Sequence, residues 1–188
     1  MKIYLAGPEV FFPAPQKEGQ RLKDICAEYG FKGGFPLDGS LDTDGLENWE
    51  IADVIFDTNI QKIEDCAAVV ANMTPFRGPG MDAGTAFEIG YAYSEGKFII
   101  GWSADDRDYI ERVQEYFGGK LEQSDCWRDP QGLEVEDFGQ PDNLMMSSAV
   151  CSASETLGWY KIRNWLANPV NAYLGTVPAP LNHQRDAA

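Results

Sequence analysis

The sequence predicts an α/β fold, a doubly wound five-stranded parallel sheet with helices on both faces. Three observations point there. Short apolar runs alternate with segments of helical periodicity, the order of successive βαβ units. Two of the runs, residues 67–72 and 98–102, are almost continuously apolar, as befits strands buried on both faces. Hydrophobic residues make up 44% of the 188-residue chain and aromatics 12%, enough side chain for a sizeable core. The length fits one domain with extras, read as residues 1–168 followed by a C-terminal arm at 169–188 that holds three prolines.

The elements follow in order. Lys2-Ile3-Tyr4-Leu5-Ala6 is a short apolar strand that breaks at Gly7-Pro8. Residues 16–29 carry Leu22, Ile25 and Cys26 at helical spacing and stop at Gly30. The glycine-rich stretch 31–46 reads as loop around one short strand. Ile51, Val54, Ile55, Ile60 and Ile63 mark an amphipathic helix over 47–66, with a break possible inside it. The strand at 67–72 leads through a turn-rich loop at 74–80 into a helix at 82–95, and 98–102 forms the next strand. Residues 104–140 are charged and irregular, with one helix predicted over 106–117. A last short strand is expected at 148–152, then a helix opening on the capping-box spelling Ser152-x-x-Glu155 and ending by Pro169.

Composition excludes several functions. Thirty acids against fifteen bases give a net charge of −15 and a pI near 4.3. Phosphate backbones and anionic membranes repel such a chain, so neither is an expected partner. The one histidine, His183, lies in the tail, which removes His-based triads, HExxH helices and zinc clusters. Cys26, Cys66, Cys126 and Cys151 are 40, 60 and 25 residues apart with no CxxC pair. That pattern suits a reducing cytoplasm and neither a metal cluster nor a redox dithiol. No cofactor or metal is expected. The apolar start is interrupted by Gly7, Pro8 and Glu9 and lacks a basic region, so it does not read as a signal peptide. The sequon Asn72-Met73-Thr74 is discounted in an intracellular chain. Any catalysis falls to carboxylates.

In parallel α/β sheets, ligands bind beyond the carboxyl ends of the strands. That selects the loops at 7–15, at 73–82 and after Trp102. The segment from Asn72 to Gly90 is neither a dinucleotide fingerprint nor a P-loop: its glycines at 78, 80 and 84 miss the GxGxxG spacing, and no GK[ST] occurs. It does place two carboxylates, Asp82 and Glu88, at a helix start. Asp82 suits an N-cap. Glu88, two turns in, shares its face with the small residues Gly84, Thr85 and Ala92, which would let a substrate approach closely. Two carboxylates flanking a glycosidic carbon can divide glycosyl transfer, one as nucleophile and one handling the leaving group's proton. The helix N-terminus would help keep a nucleophile ionised. The structural alternative is a plain cap and a solvated glutamate.

Three blocks of sequence resemble the nucleoside 2-deoxyribosyltransferase family: Tyr4-Leu5-Ala6-Gly7-Pro8, then Pro75-Phe76-Arg77-Gly78 with Asp82-x-Gly84-Thr85-Ala86-Phe87-Glu88-Ile89-Gly90, then Gly139-Gln140-Pro141-x-Asn143-Leu144-Met145. They come in the family's order and span residues 2 to 146. The resemblance implies a flavodoxin-like fold and a double displacement on deoxynucleosides, with free nucleobases as co-substrates. Glu88 matches the nucleophile, Asp82 the acid beside the base, and Tyr4 the tyrosine that orients the nucleophile. Asn143 matches an asparagine reaching the sugar site of a neighbouring subunit, which implies a homo-oligomer. Asn59 stands where relatives often carry a base-binding aspartate; an amide donates and accepts but cannot act as an acid or base. Gly7, Gly84, Phe11 and Phe12 complete the expected substrate site.

Other readings remain open at this level. Tyr4 could pack in the core, Asn143 could cap a turn, Asn59 could be surface, and Phe11, Phe12 and Trp49 could be core. Arg77 is expected to hold its loop by an ion pair. A hydrolase is the nearest enzymatic alternative. One that cleaves deoxynucleoside 5′-monophosphates would need a phosphate cradle after the first strand, but residues 7–15 hold an acid, three prolines and neither Ser nor Arg. A non-catalytic nucleotide-binding module on the same fold is the remaining possibility. The segment 104–140 is a candidate cover for the site.

Overall fold

A computed structural model describes residues 1–151. The C-terminal arm and the helix expected after Ser152 lie outside the described residues. Four parallel strands form the main sheet: β1 (Lys2–Ala6), β2 (Lys32–Gly34), β3 (Ala68–Asn72) and β4 (Phe98–Trp102), in the order β2-β1-β3-β4. These are the first four places of the flavodoxin-like arrangement, whose strand order reverses between β1 and β3. A crevice therefore opens above the carboxyl ends of β1 and β3.

The period-2 alternation of β1 sorts its side chains between the two faces. Ile3 and Leu5 pack with Leu22 and Cys26 of α1 (Pro15–Glu28) on one side. Tyr4 and Ala6 join Ile63 of α2 (Asn48–Glu64), Ile89 and Ala92 of α3 (Ala83–Ser94) and Val150 on the other. All five residues of β3 are buried, as its continuous apolar run requires. Gly19 of α1 lets that helix close on Phe35, whose ring a side chain there would overlap. The α2 segment is one unbroken helix, started by a reciprocal capping box between Glu47 and Glu50.

Two expectations are corrected. The strand predicted at 148–152 is helix over its described part: α5 spans Leu144–Cys151. A short apolar run does not by itself distinguish a strand from a buried helix. Here Asn143 decides, its Oδ1 accepting from the Met145 N–H at 3.0 Å and its carbonyl accepting from Met146 and Ser147. The main sheet accordingly has four strands among the described residues. Residues 104–140 are also more ordered than expected. After α4 (Tyr109–Tyr116) comes a small antiparallel sheet of β5 (Glu122–Gln123), β6 (Trp127–Arg128) and β7 (Glu134–Val135), around Val113, Leu121 and Val135. Strands of two residues are too short to show an alternating pattern. No helix among the described residues is long and apolar enough to cross a membrane.

Candidate active site

Because the alternation turns Tyr4 toward α3, its fully buried side chain meets that helix from below the sheet's end. The Tyr4 hydroxyl donates to Glu88 Oε1 at 2.5 Å, joining residues 84 apart in sequence. Helical phase sets Glu88 there: Ile89 and Ala92 anchor α3 in the core, while Phe87 points outward and is half exposed. Burial pushes the Glu88 carboxyl up to about 7; the neighbouring charge of Asp82 adds to this, and the Tyr4 hydrogen bond opposes it. The expectation that the helix N-terminus would keep this group well ionised is thus corrected: two turns into α3, desolvation dominates. Burial and the Glu88 charge hold the Tyr4 phenol far above its ordinary range, so it stays a donor.

Asp82 is the N-cap of α3. Its Oδ2 accepts from the Thr85 N–H at 2.8 Å and from Thr85 Oγ1 at 3.0 Å, which leaves Oδ1 uncommitted to the cap. A Cβ on Gly84 would stand 3.1 Å from that Oδ2, so a glycine there leaves the carboxylate room. Both acids line a cavity of about 590 Å³ above the sheet's carboxyl edge. Gly7, Phe11, Asn59 and Gly84 line it too, so the fold brings six of the expected site residues to one space. Tyr4 supports them from beneath Glu88.

Gly7 is held by a buried polar pair. Glu9, 2% exposed, accepts from Asn72 Nδ2 at 2.7 Å, and Asn72 Oδ1 accepts from the Thr74 N–H at 2.9 Å. This clamps the loop after β1 to the loop after β3. Burial raises the Glu9 carboxyl above its usual range. A Cβ on Gly7 would strike the Glu9 carboxylate and come within 2.9 Å of Asn72 Cβ. Asn72 is therefore a buried clamp residue, in keeping with the discounted sequon. At the cavity rim the Phe11 ring stacks on Phe76 with centroids 5.5 Å apart, and the Arg77 guanidinium lies over both rings at 5.2 and 4.7 Å. Arg77 thus holds its loop through aromatic faces instead of the expected ion pair. It also adopts a left-handed φ of 57°.

Other expected residues lie elsewhere. Phe12 follows a short 3-10 turn over Pro8–Phe11, is exposed, and does not line the cavity. Trp49 is exposed on α2, neither core nor lining. Asn143 lines a separate cavity of about 340 Å³ beside Tyr109 and Val135, and its Nδ2 donates to Glu136 Oε1 at 2.7 Å. Within one chain it does not reach the Glu88 cavity's lining. Sequence reasoning missed Lys62, Asp38 and the 36–41 loop, which form the far wall. Lys62 could have been found, one helical turn beyond Asn59 on the same face; the loop carries no periodic signal. Among the described residues no cluster of His, Cys, Asp and Glu could hold a metal ion.

A tyrosine-held carboxylate and a second acid thus share a cleft at the switch point of an α/β sheet. The chain belongs to the nucleoside 2-deoxyribosyltransferase family, whose sequence model matches residues 3–145. It is similar to an uncharacterized protein of Schizosaccharomyces pombe, 33% identical over 158 residues that cover 76% of this chain and 74% of that one. Among solved structures it is similar to a 2-deoxyribosyltransferase from Leishmania mexicana, with 33% identity, coverage of 77% and 84%, and a TM-score of 0.59. A 2-deoxyribosyltransferase from Bacillus psychrosaccharolyticus matches at 21% identity, with coverage of 62% and 82% and a TM-score of 0.49.

Proposed function

We propose that the protein transfers 2-deoxyribose between nucleobases by double displacement through a covalent deoxyribosyl-Glu88 intermediate. The contact between Tyr4 and Glu88, inside the cavity that Asp82 also lines, carries this reading. With Oε1 held by Tyr4, Glu88 Oε2 attacks C1′ of a 2′-deoxynucleoside. The C1′–N bond breaks and its electron pair leaves with the base. A proton carried on Asp82 Oδ1 in the substrate complex passes to the departing ring nitrogen. A second base then binds, loses its proton to Asp82, and attacks C1′, which releases Glu88. A raised carboxyl such as Glu88 gains nucleophilicity from its low-dielectric setting, and Tyr4 keeps enough of it ionised near neutral pH. The Phe11 ring offers an apolar face to the base, and Asn59 offers an amide that donates and accepts.

The cleft carries three carboxylates, Asp38, Asp82 and Glu88, against one cation, Lys62. That balance favours uncharged deoxynucleosides and bases over nucleotides. Asn143 acts in the site of a neighbouring copy, so the working form is a homo-oligomer in the cytoplasm.

The test is incubation with deoxyinosine, with and without adenine, followed by chromatography. Deoxyadenosine appears if the reading is right. Hypoxanthine released equally fast without acceptor, and no deoxyadenosine, points to a hydrolase; no turnover of any deoxynucleoside leaves a binding module. Light scattering tests the oligomer, and the activity of Asn143→Ala mixed with Glu88→Gln tests the shared site. Mixed oligomers regain activity if each copy completes its neighbour's site, and stay dead if Asn143 serves only its own chain.

A further inference from the structure

The α2 wall of the cavity presents Asn59 and, one turn later, Lys62. The Lys62 ammonium donates to the Pro36 carbonyl, which anchors its tip at the loop after β2. An ammonium has three donors and no acceptor. Pro36 O is its one hydrogen-bond acceptor among the described residues, although Asp38 stands close enough to favour its charge. Asp38 itself is occupied, accepting from Lys23 Nζ at 2.6 Å and from the Phe35 N–H at 2.9 Å. Lys62 is half-buried, and burial lowers its pKa. A partly desolvated ammonium with spare donors in an otherwise acidic cleft gains free energy from a neutral acceptor on the ligand. The sugar's hydroxyls can satisfy the carboxylates; a donor-only group calls for a carbonyl oxygen. Lysine suits the adjacent O6 and N7 of an oxopurine, which both accept, whereas adenine puts an amino donor in place of O6.

We propose that Lys62 is a specificity-determining residue that donates to the exocyclic carbonyl of the base, so that the site selects 6-oxopurines over adenine. This rests on the deoxyribosyltransferase reading. A matched carbonyl pairs the ammonium; an amino group turned toward it leaves two donors facing each other. The mismatch slows reaction with adenine on the order of 10–100-fold, the worth of one such bond, and adenine still serves as an acceptor.

The test measures base release in single turnovers from deoxyinosine and from deoxyadenosine, for the wild type, Lys62→Met and Lys62→Arg. Methionine keeps the aliphatic stem and loses the donors; arginine keeps donors. The wild type is expected to prefer deoxyinosine. Lys62→Met should lose on the order of 10–100-fold on deoxyinosine and little on deoxyadenosine, while Lys62→Arg retains the preference. Equal losses on both substrates would mean that the bond to Pro36 is merely structural, and would overturn the proposal. So would a wild type that prefers deoxyadenosine. Calorimetry with free hypoxanthine and adenine separates the two readings. If no variant releases any base, the transferase reading fails. A calorimetric preference for hypoxanthine that Lys62→Met abolishes would still sustain the role of Lys62, and its absence or persistence would refute it.

Discussion

Replacing Tyr4 by Phe removes one hydroxyl from a fully buried side chain and leaves the ring's packing in place. The hydroxyl's bond to Glu88 Oε1, 2.5 Å long, favours the carboxylate over the carboxylic acid. A hydrogen bond to a charged group contributes about 1.5–3 kcal/mol, and one pKa unit corresponds to about 1.4 kcal/mol. Glu88 already sits at about 7, so Tyr4→Phe should move it up by roughly 1–2 units. The nucleophile must be ionised, so activity rises with pH through this pKa. The wild-type profile of kcat/KM should bend near 7 on its acid side, and the Tyr4→Phe profile should bend at higher pH. At pH 7 the variant should lose roughly 5–50-fold, and part of that loss should return in alkaline buffer. Circular dichroism establishes that the variant folds. An acid limb that stays near 7 while the whole profile drops would refute the electrostatic role of Tyr4 and reduce it to positioning.

Glu88→Gln should be inactive yet more heat-stable at high pH. The folded pKa is raised from 4.5 to about 7, so the folded state holds the proton more tightly, and the stability that comes from holding it is lost as pH rises through 7. Removing the carboxylate should gain about 3 kcal/mol, or roughly 6–12 °C in Tm, above pH 7 and nothing below pH 4.5; a Tm difference that ignores pH would contradict this. Asp82→Asn keeps an N-cap and should fold normally while losing most base release, whereas Asp82→Ala should also lose about 1 kcal/mol of stability in thermal melts. Gly7→Ala forces a Cβ onto the clamp of Glu9 and Asn72 and should cost about 1–3 kcal/mol; wild-type stability and activity together would show that the clamp yields freely.

The sequence by itself determined the layered order of strands and helices, because apolar periodicity is a local property of each segment. It also placed Asp82 at the start of α3 and Glu88 two turns on, since capping and helical phase are counted along the chain. Composition confined the chemistry to carboxylates before any fold was known. Tertiary structure decided the rest. Asn143 and its contacts turned the apolar run at 144–151 into a helix, and no period in that run marks the difference. That Tyr4 reaches Glu88 depends on β1 and α3 packing across 84 residues. The pKa of Glu88 depends on how much water that packing excludes, so a helix start that suggested an ionised group holds one poised near neutrality. The 36–41 loop became part of the site only through the packing that sets it across the cavity from Asp82 and Glu88. Local pattern fixes which residues share a face; desolvation and long-range contact, which act through space, fix what those residues can do.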